Sequence, residues 1–223
     1  YRTQLEGKQK DPSTDLSDTL LVAMYNHHPR AISLTPDDLN KIDYDRSMKI
    51  FKERFSDVSD FTFYLVGDFN TDSIKPVIEK YIGALPTSHS KEKYVDRKKY
   101  IRKGNYENNF TRKMETPKST VVAILHAPEK ANLKNEIEMD MLTQILRMIF
   151  TEEIREKEGG TYGVSVNGAV VRIPKQLVNI QISFATNPER RDHLTKLVLD
   201  LYRNFTEKGP SPEMVDKVRQ YML

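Results

Sequence analysis

Thr120-Val121-Val122-Ala123-Ile124-Leu125 is apolar almost throughout and rich in β-branched residues, and the rest of the chain is read outward from it. Branching at Cβ stiffens χ1 and favours a pleated, buried surface, so 119–126 reads as a strand. A partner strand is expected just upstream at 106–115. Downstream, a long helix is expected over 132–157, with Ile137, Met141, Ile145 and Met148 as its core face and Gly159-Gly160 as its end. Strands at 161–171 and 177–185 come next, joined by the short link Arg172 to Lys175. Asn187-Pro188-Glu189 opens a helix with Leu194, Leu197, Leu201 and Phe205 inward, which Gly209-Pro210 stops. Ser211-Pro212-Glu213 opens the last helix. Locally paired strands with short links argue for an antiparallel sheet. The fold class is therefore α+β in two layers, an antiparallel sheet covered on one face by long amphipathic helices.

The first half reads differently. Leu16, Leu20 and Met24 make a helical stripe within 13–28. Thr35-Pro36-Asp37-Asp38 is a helix start: a capping hydroxyl, a proline at the first turn, and acids at the positive helix end. Tyr44, Met48, Phe51 and Phe55 continue an apolar stripe, in one helix over 36–56 or two with a break near Asp43. Phe61-Thr62-Phe63-Tyr64-Leu65-Val66 reads as a mostly buried strand ending at Gly67. Asp68 to Asp72 forms a polar turn that caps a helix bearing Ile74 and Ile78 and ending at Gly83. Pro86 to Asn105 carries Lys91, Lys93, Arg97, Lys98, Lys99, Arg102 and Lys103 with little apolar periodicity. It reads as an exposed linker, 86–105, between halves 1–85 and 106–223 of one domain.

Composition removes several classes of function. The chain of 223 residues has no Cys, which excludes disulfide scaffolds, thiolate metal sites and cysteine catalysis. With 35 basic and 32 acidic residues the net charge is +3, short of the basic excess of a dedicated nucleic-acid binder. Tyr94 and Tyr100 lie within the basic run and can stack on bases, but a solvated linker is the simpler reading, so no nucleic-acid partner is expected. No apolar run approaches the roughly 18 residues that span a bilayer. The chain begins without an initiator Met or an apolar signal core, and it still reads as helix at its last residues. The expectation is a piece of a longer polypeptide.

The five histidines, His27, His28, His89, His126 and His193, fall in no metal-ligating spacing, and no metal is expected in this chain. Phosphate-binding loops and nucleophile elbows are absent too. The acids Glu152, Glu153, Glu156 and Glu158 read as a solvated face. What remains is Ile154-Arg155-Glu156-Lys157-Glu158-Gly159-Gly160-Thr161-Tyr162-Gly163-Val164, a helix joined to a strand by a Gly-rich turn. Arg155 and Tyr162, a guanidinium and a phenol brought together by that turn, would form a donor pair for a peptide carbonyl or an oxyanion. The alternative is an Arg tied to helix-end carbonyls and a Tyr packed at a sheet edge.

R-E-x-x-G-x-x-Y between a long helix and a strand resembles the hallmark of the non-zinc domain in pitrilysin/insulin-degrading-type (insulinase-like) zinc metallopeptidases. Asp60 to Phe69 followed by Ile78 to Pro86, and Gly209-Pro210-Ser211-Pro212-Glu213 before a terminal helix, resemble further segments of that family. The three together cover most of 35–223. The family's H-x-x-E-H is missing, so this chain is similar to the metal-free domain, and its Gly159 to Gly163 wording resembles the C-terminal domain of the bacterial four-domain branch. Gly160-Thr161 stand where many relatives have Leu-Ala.

The resemblance implies a substrate-binding domain of a zinc endopeptidase, inactive by itself. Zinc would be bound by another domain of the same polypeptide, and Arg155 and Tyr162 would serve that distant site. Peptides or unfolded proteins would be the substrates. The alternative is a scaffold subunit that kept the fold and lost catalysis. The sequence does not fix the compartment; the bacterial branch makes the periplasm or cell envelope one candidate.

Overall fold

A computed structural model describes residues 1–159, 161 and 163–222. The chain divides into two units, Tyr1–Arg97 and Lys98–Leu223.

The first unit is helical. It holds α1 (Arg2–Gln9), α2 (Pro12–Met24), a 3₁₀ turn at Pro36–Lys41, α3 (Tyr44–Phe55) and α4 (Thr71–Tyr81). Caps set the boundaries. Asp11 accepts from Ser13 N–H, Asp43 from Arg46 N–H, and Asn70 from both Asp72 and Ser73 N–H. The Asp38 carboxylate accepts from the Thr35 N–H at 2.9 Å and the Thr35 hydroxyl at 2.7 Å. The break at Asp43 falls where the sequence allows it, because Asp43 caps a new helix instead of continuing the old one. α1 carries a single buried apolar side chain, Leu5, so no periodicity announces it.

Two expected strands are not strands. Residues 61–66 are extended but sit in no ladder, with Tyr64 87% and Val66 98% exposed. A strand exists only with a hydrogen-bonded neighbour, and the described part of the first unit contains no strand at all. The α3 stripe likewise buries none of its side chains in the unit. Phe51 stacks on Phe55 at 4.7 Å between ring centroids, and Phe55 meets Phe61 edge-on at 5.7 Å. Residues 106–115, the other expected strand, also lack a ladder and are almost wholly exposed. Glu107, Asn108 and Asn109 favour water over a pleated surface.

The second unit is the two-layer α+β part. Its described sheet has three antiparallel strands, β1 (Ser119–Ala127), β2 (Val164–Val171) and β3 (Leu177–Thr186), in the order β1-β3-β2. Val121, Phe184 and Val164 lie in one cross-strand row, and Ala123, Ile182 and Val166 in the next. These rows share one sheet face, which is buried, while Ser165 and Asn167 on the opposite face of β2 are exposed. Onto the buried face pack α5 (Leu133–Phe150) and α6 (Arg191–Lys208), followed by α7 (Pro212–Met222).

The core face of α5 includes Ile145 as expected and otherwise differs. Met139, Thr143, Leu146 and Phe150 are buried beside it, whereas Ile137 is 44% exposed. Two stripes run along this helix, and the polar Thr143 disguises the one that wins. Gly168 explains why. A Cβ there would stand 2.6 Å from Thr143 Cγ2 and 2.4 Å from Met139 Sδ, so β2 and α5 approach through a missing side chain. Arg147 adds a hydrogen bond from α5 to the Val166 carbonyl, at 2.5 Å.

Candidate functional site

α5 does not end as an α-helix. From Thr151 to Lys157 its turns widen to the π form, which is rare and frequent at functional sites. Ile154 stays fully buried within this segment and anchors it to the core. Arg155, next in sequence, is exposed. The Arg155 carbonyl accepts the Gly159 N–H at 3.2 Å, and Gly159 takes φ +59°, a conformation a side chain resists.

Among the described residues the Arg155 guanidinium makes no hydrogen bond or ion pair. It does not cap the carbonyls of its own helix end there. A planar fork of five N–H donors therefore stands in solvent. Tyr162 and Gly160 lie outside the described residues, so the expected pairing of Arg155 with Tyr162 has no geometry to report.

The turn is anchored on both sides. Before it, the Glu158 carbonyl accepts from Arg190 Nη1 at 2.9 Å, and Glu158 Oε2 accepts from Arg190 Nη2 at 2.9 Å. His193 Nε2 reaches the same carboxylate oxygen at 3.2 Å. After it, the Thr161 hydroxyl donates to the Ala185 carbonyl on β3 at 2.6 Å and accepts the Gly163 N–H at 3.3 Å. Glu158 is thus no member of an idle acidic face. Its partners are 32 and 35 residues away, and no local pattern signals them. Glu152 and Glu153 are paired as well, with the Lys157 ammonium at 3.5 and 2.6 Å. The Glu153 hydrogen bond is the main reason that ammonium holds its proton above the usual lysine range.

The remaining candidates are committed elsewhere. His126 Nε2 donates to the Arg102 carbonyl at 2.8 Å. His28 Nε2 donates to the Arg97 carbonyl at 2.9 Å while its Nδ1 accepts the Arg30 N–H at 3.1 Å. In the basic run, Lys175 Nζ lies 4.0 Å from the centre of the Tyr100 ring, and the Arg102 guanidinium 4.0 Å from that of Tyr106. Tyr100 and Tyr106 therefore each have a cation against the ring. Among the described residues no group of three His, Cys, Asp or Glu side chains can hold a metal ion. Those described donors therefore do not make up a zinc site. No described helix is long and apolar enough to cross a membrane.

Comparison with known proteins gives one consistent answer. The profile of the peptidase M16 inactive domain matches residues 41–222. The chain is 24% identical over 171 residues to the probable zinc protease PqqL of Escherichia coli (strain K12), covering 76% of this chain and 18% of that protein. The crystal structure of the periplasmic protease PqqL from Escherichia coli superposes with a TM-score of 0.81 at 21% identity, over 99% of this chain and 24% of that one. A mutant of the ferredoxin protease FusC, solved in complex with Arabidopsis ferredoxin, gives 0.77 at 17% identity, over 98% of this chain and 23% of that one. A peptidase M16 inactive domain from Pseudomonas fluorescens gives 0.73 at 17%, over 99% of this chain and 53% of that one. At these identities the solved structures bear on the fold. The chain spans about a fifth of the curated relative it matches.

Proposed function

This chain belongs to the peptidase M16 inactive-domain family, and on that premise we propose that it is the metal-free, substrate-binding domain of a longer zinc endopeptidase. Zinc would be held by another domain of that polypeptide, a reading supported by the lack of a three-ligand group among the described residues. The substrates would be extended peptides or unfolded proteins. A periplasmic or cell-envelope location follows the bacterial relative.

The observation that carries the reading is the state of Arg155. A guanidinium exposed at the end of a π-helical segment, bonded to nothing among the described residues, is a donor held in reserve. In the closed enzyme it would donate to a substrate carbonyl, and more strongly to the oxyanion that forms as that carbonyl is attacked. Charge-assisted hydrogen bonds of this kind gain most where charge develops. Tyr162 would supply a second donor through its phenol. The helix side of the turn is held by burial of Ile154, the strand side by the Thr161 hydroxyl on β3.

The test is Arg155→Lys in the full-length enzyme, assayed on an internally quenched peptide. An ammonium cannot reproduce the fork, so kcat should fall about 10- to 1000-fold while folding is kept. Unchanged kcat would remove Arg155 from the reaction.

A further inference from the structure

We propose that Arg190 is a positioning residue for the substrate-binding turn, and that it leaves Arg155 available by taking over the cap of the helix end. The proposal rests on the role for Arg155 given above. A helix leaves its last carbonyls without partners, and a cation near that end is favoured. Arg155 is the local residue for that task by sequence, yet among the described residues it makes no such bond. Arg190, from the 3₁₀ turn Pro188–Arg190 that leads into α6, does it instead. One prong binds the Glu158 main-chain carbonyl and the other binds the Glu158 carboxylate, each at 2.9 Å. A single planar group thereby fixes both the backbone and the side chain of the residue that enters the turn. Only an arginine has the geometry for both prongs.

The arrangement also serves α6. Arg190 stands at the beginning of that helix, where positive charge is unfavourable. The Glu158 carboxylate lies against it and compensates it. The pair is about one-third exposed on each side, so its Coulomb energy is screened and its contribution is chiefly geometric. Ile154 and the Glu158 clamp bracket Arg155, one residue before it and three after. Loosening the clamp frees the turn and with it the direction of the guanidinium.

The experiment is a double-mutant cycle in the full-length enzyme, with Arg190→Ala, Arg155→Ala and the double variant assayed on one internally quenched peptide. Arg190→Ala should lower kcat by about 10- to 100-fold, the scale expected when a reacting group is misplaced by roughly 1 Å, with KM little changed. The double variant should be no worse than Arg155→Ala within about 3-fold, because both act through one guanidinium. Arg190→Lys keeps the charge and should not rescue. Hydrogen exchange on the same proteins should accelerate across residues 158–164 in Arg190→Ala. If that variant exchanges normally there, or keeps full kcat while Arg155→Ala does not, the positioning role is wrong. If Arg155→Ala keeps full kcat, the role of Arg155 fails separately, and exchange across 158–164 decides alone whether Arg190 holds the turn. Should Arg190→Ala not fold, Glu158→Ala removes the side-chain acceptor of one prong and is read by the same exchange and kcat criteria.

Discussion

Gly168→Ala adds one methyl group where the structure has no room for it. The new Cβ would lie 2.4 Å from Met139 Sδ, 2.7 Å from Met139 Cγ and 2.6 Å from Thr143 Cγ2. Non-bonded carbons prefer roughly 3.5–4.0 Å, so each contact is about 1 Å too short. Met139 can swing away, since a thioether chain is adaptable. Thr143 is stiffer, and both sit buried beneath β2. Forced overpacking costs about 1–3 kcal/mol, against which the lost backbone freedom of glycine returns roughly 0.5–1 kcal/mol. These ranges span a net of roughly 0–2.5 kcal/mol, and with stiff Thr143 in the way the expected loss is about 1–2 kcal/mol. For a unit of this size that is a Tm lower by roughly 3–8 °C. Gly7→Ala is the control: it lies in α1 with nothing within 4 Å of its added Cβ. It should raise stability by up to about 1 kcal/mol. Thermal and urea unfolding of the two variants side by side give the answer. A Gly168→Ala protein as stable as the parent would refute the close approach of β2 and α5.

The other expectations concern the linker, the metal and an aspartate. Limited trypsin should cut first near Arg97 to Arg102, because no helix or strand covers residues 93–102, even though the Arg97 and Arg102 carbonyls accept from His28 and His126; first cuts inside α5 would contradict this. Equilibrium dialysis of the isolated chain against zinc should find no stoichiometric site, and one tightly held ion per chain would overturn the domain assignment. Asp57 accepts hydroxyl bonds from Ser59 and Ser88, which hold its carboxyl well below the usual carboxylate range. A depressed folded pKa means stability present above the unfolded value of about 3.9 and lost as pH falls through the folded one. Carboxyl carbon NMR should therefore find Asp57 still ionised when ordinary aspartates have titrated, and a midpoint at or above about 3.9 would show that the Ser bonds do not form.

Local signals were legible where a local interaction decides the structure. Thr35, Asn70 and Gly209 mark helix ends through bonds or dihedrals within a few residues of themselves. Strands 119–127 and 177–186 could be read because each carries a sustained β-branched face and finds the other in a ladder. Residues 61–66 and 106–115 show the limit: composition reports the wish to be buried, but only tertiary structure supplies a partner. The same limit applies at the site. R-E-x-x-G-x-x-Y singles out Arg155 from sequence, whereas the π turn and the Arg190 clamp depend on contacts between distant elements. Glu158 looks like one more surface acid until α6 is folded against it.

On the function proposed above, this turn lends hydrogen-bond donors to a reaction centred in another domain. Tyr162→Phe in the full-length enzyme tests it most directly, because the ring is kept and a single O–H is removed. Thermal midpoint and kcat are to be measured on the same preparation with an internally quenched peptide. If the phenol donates to the oxyanion, the midpoint stays unchanged and kcat falls by about 10- to 1000-fold, the range for deleting one oxyanion donor. Full turnover in Tyr162→Phe would contradict it.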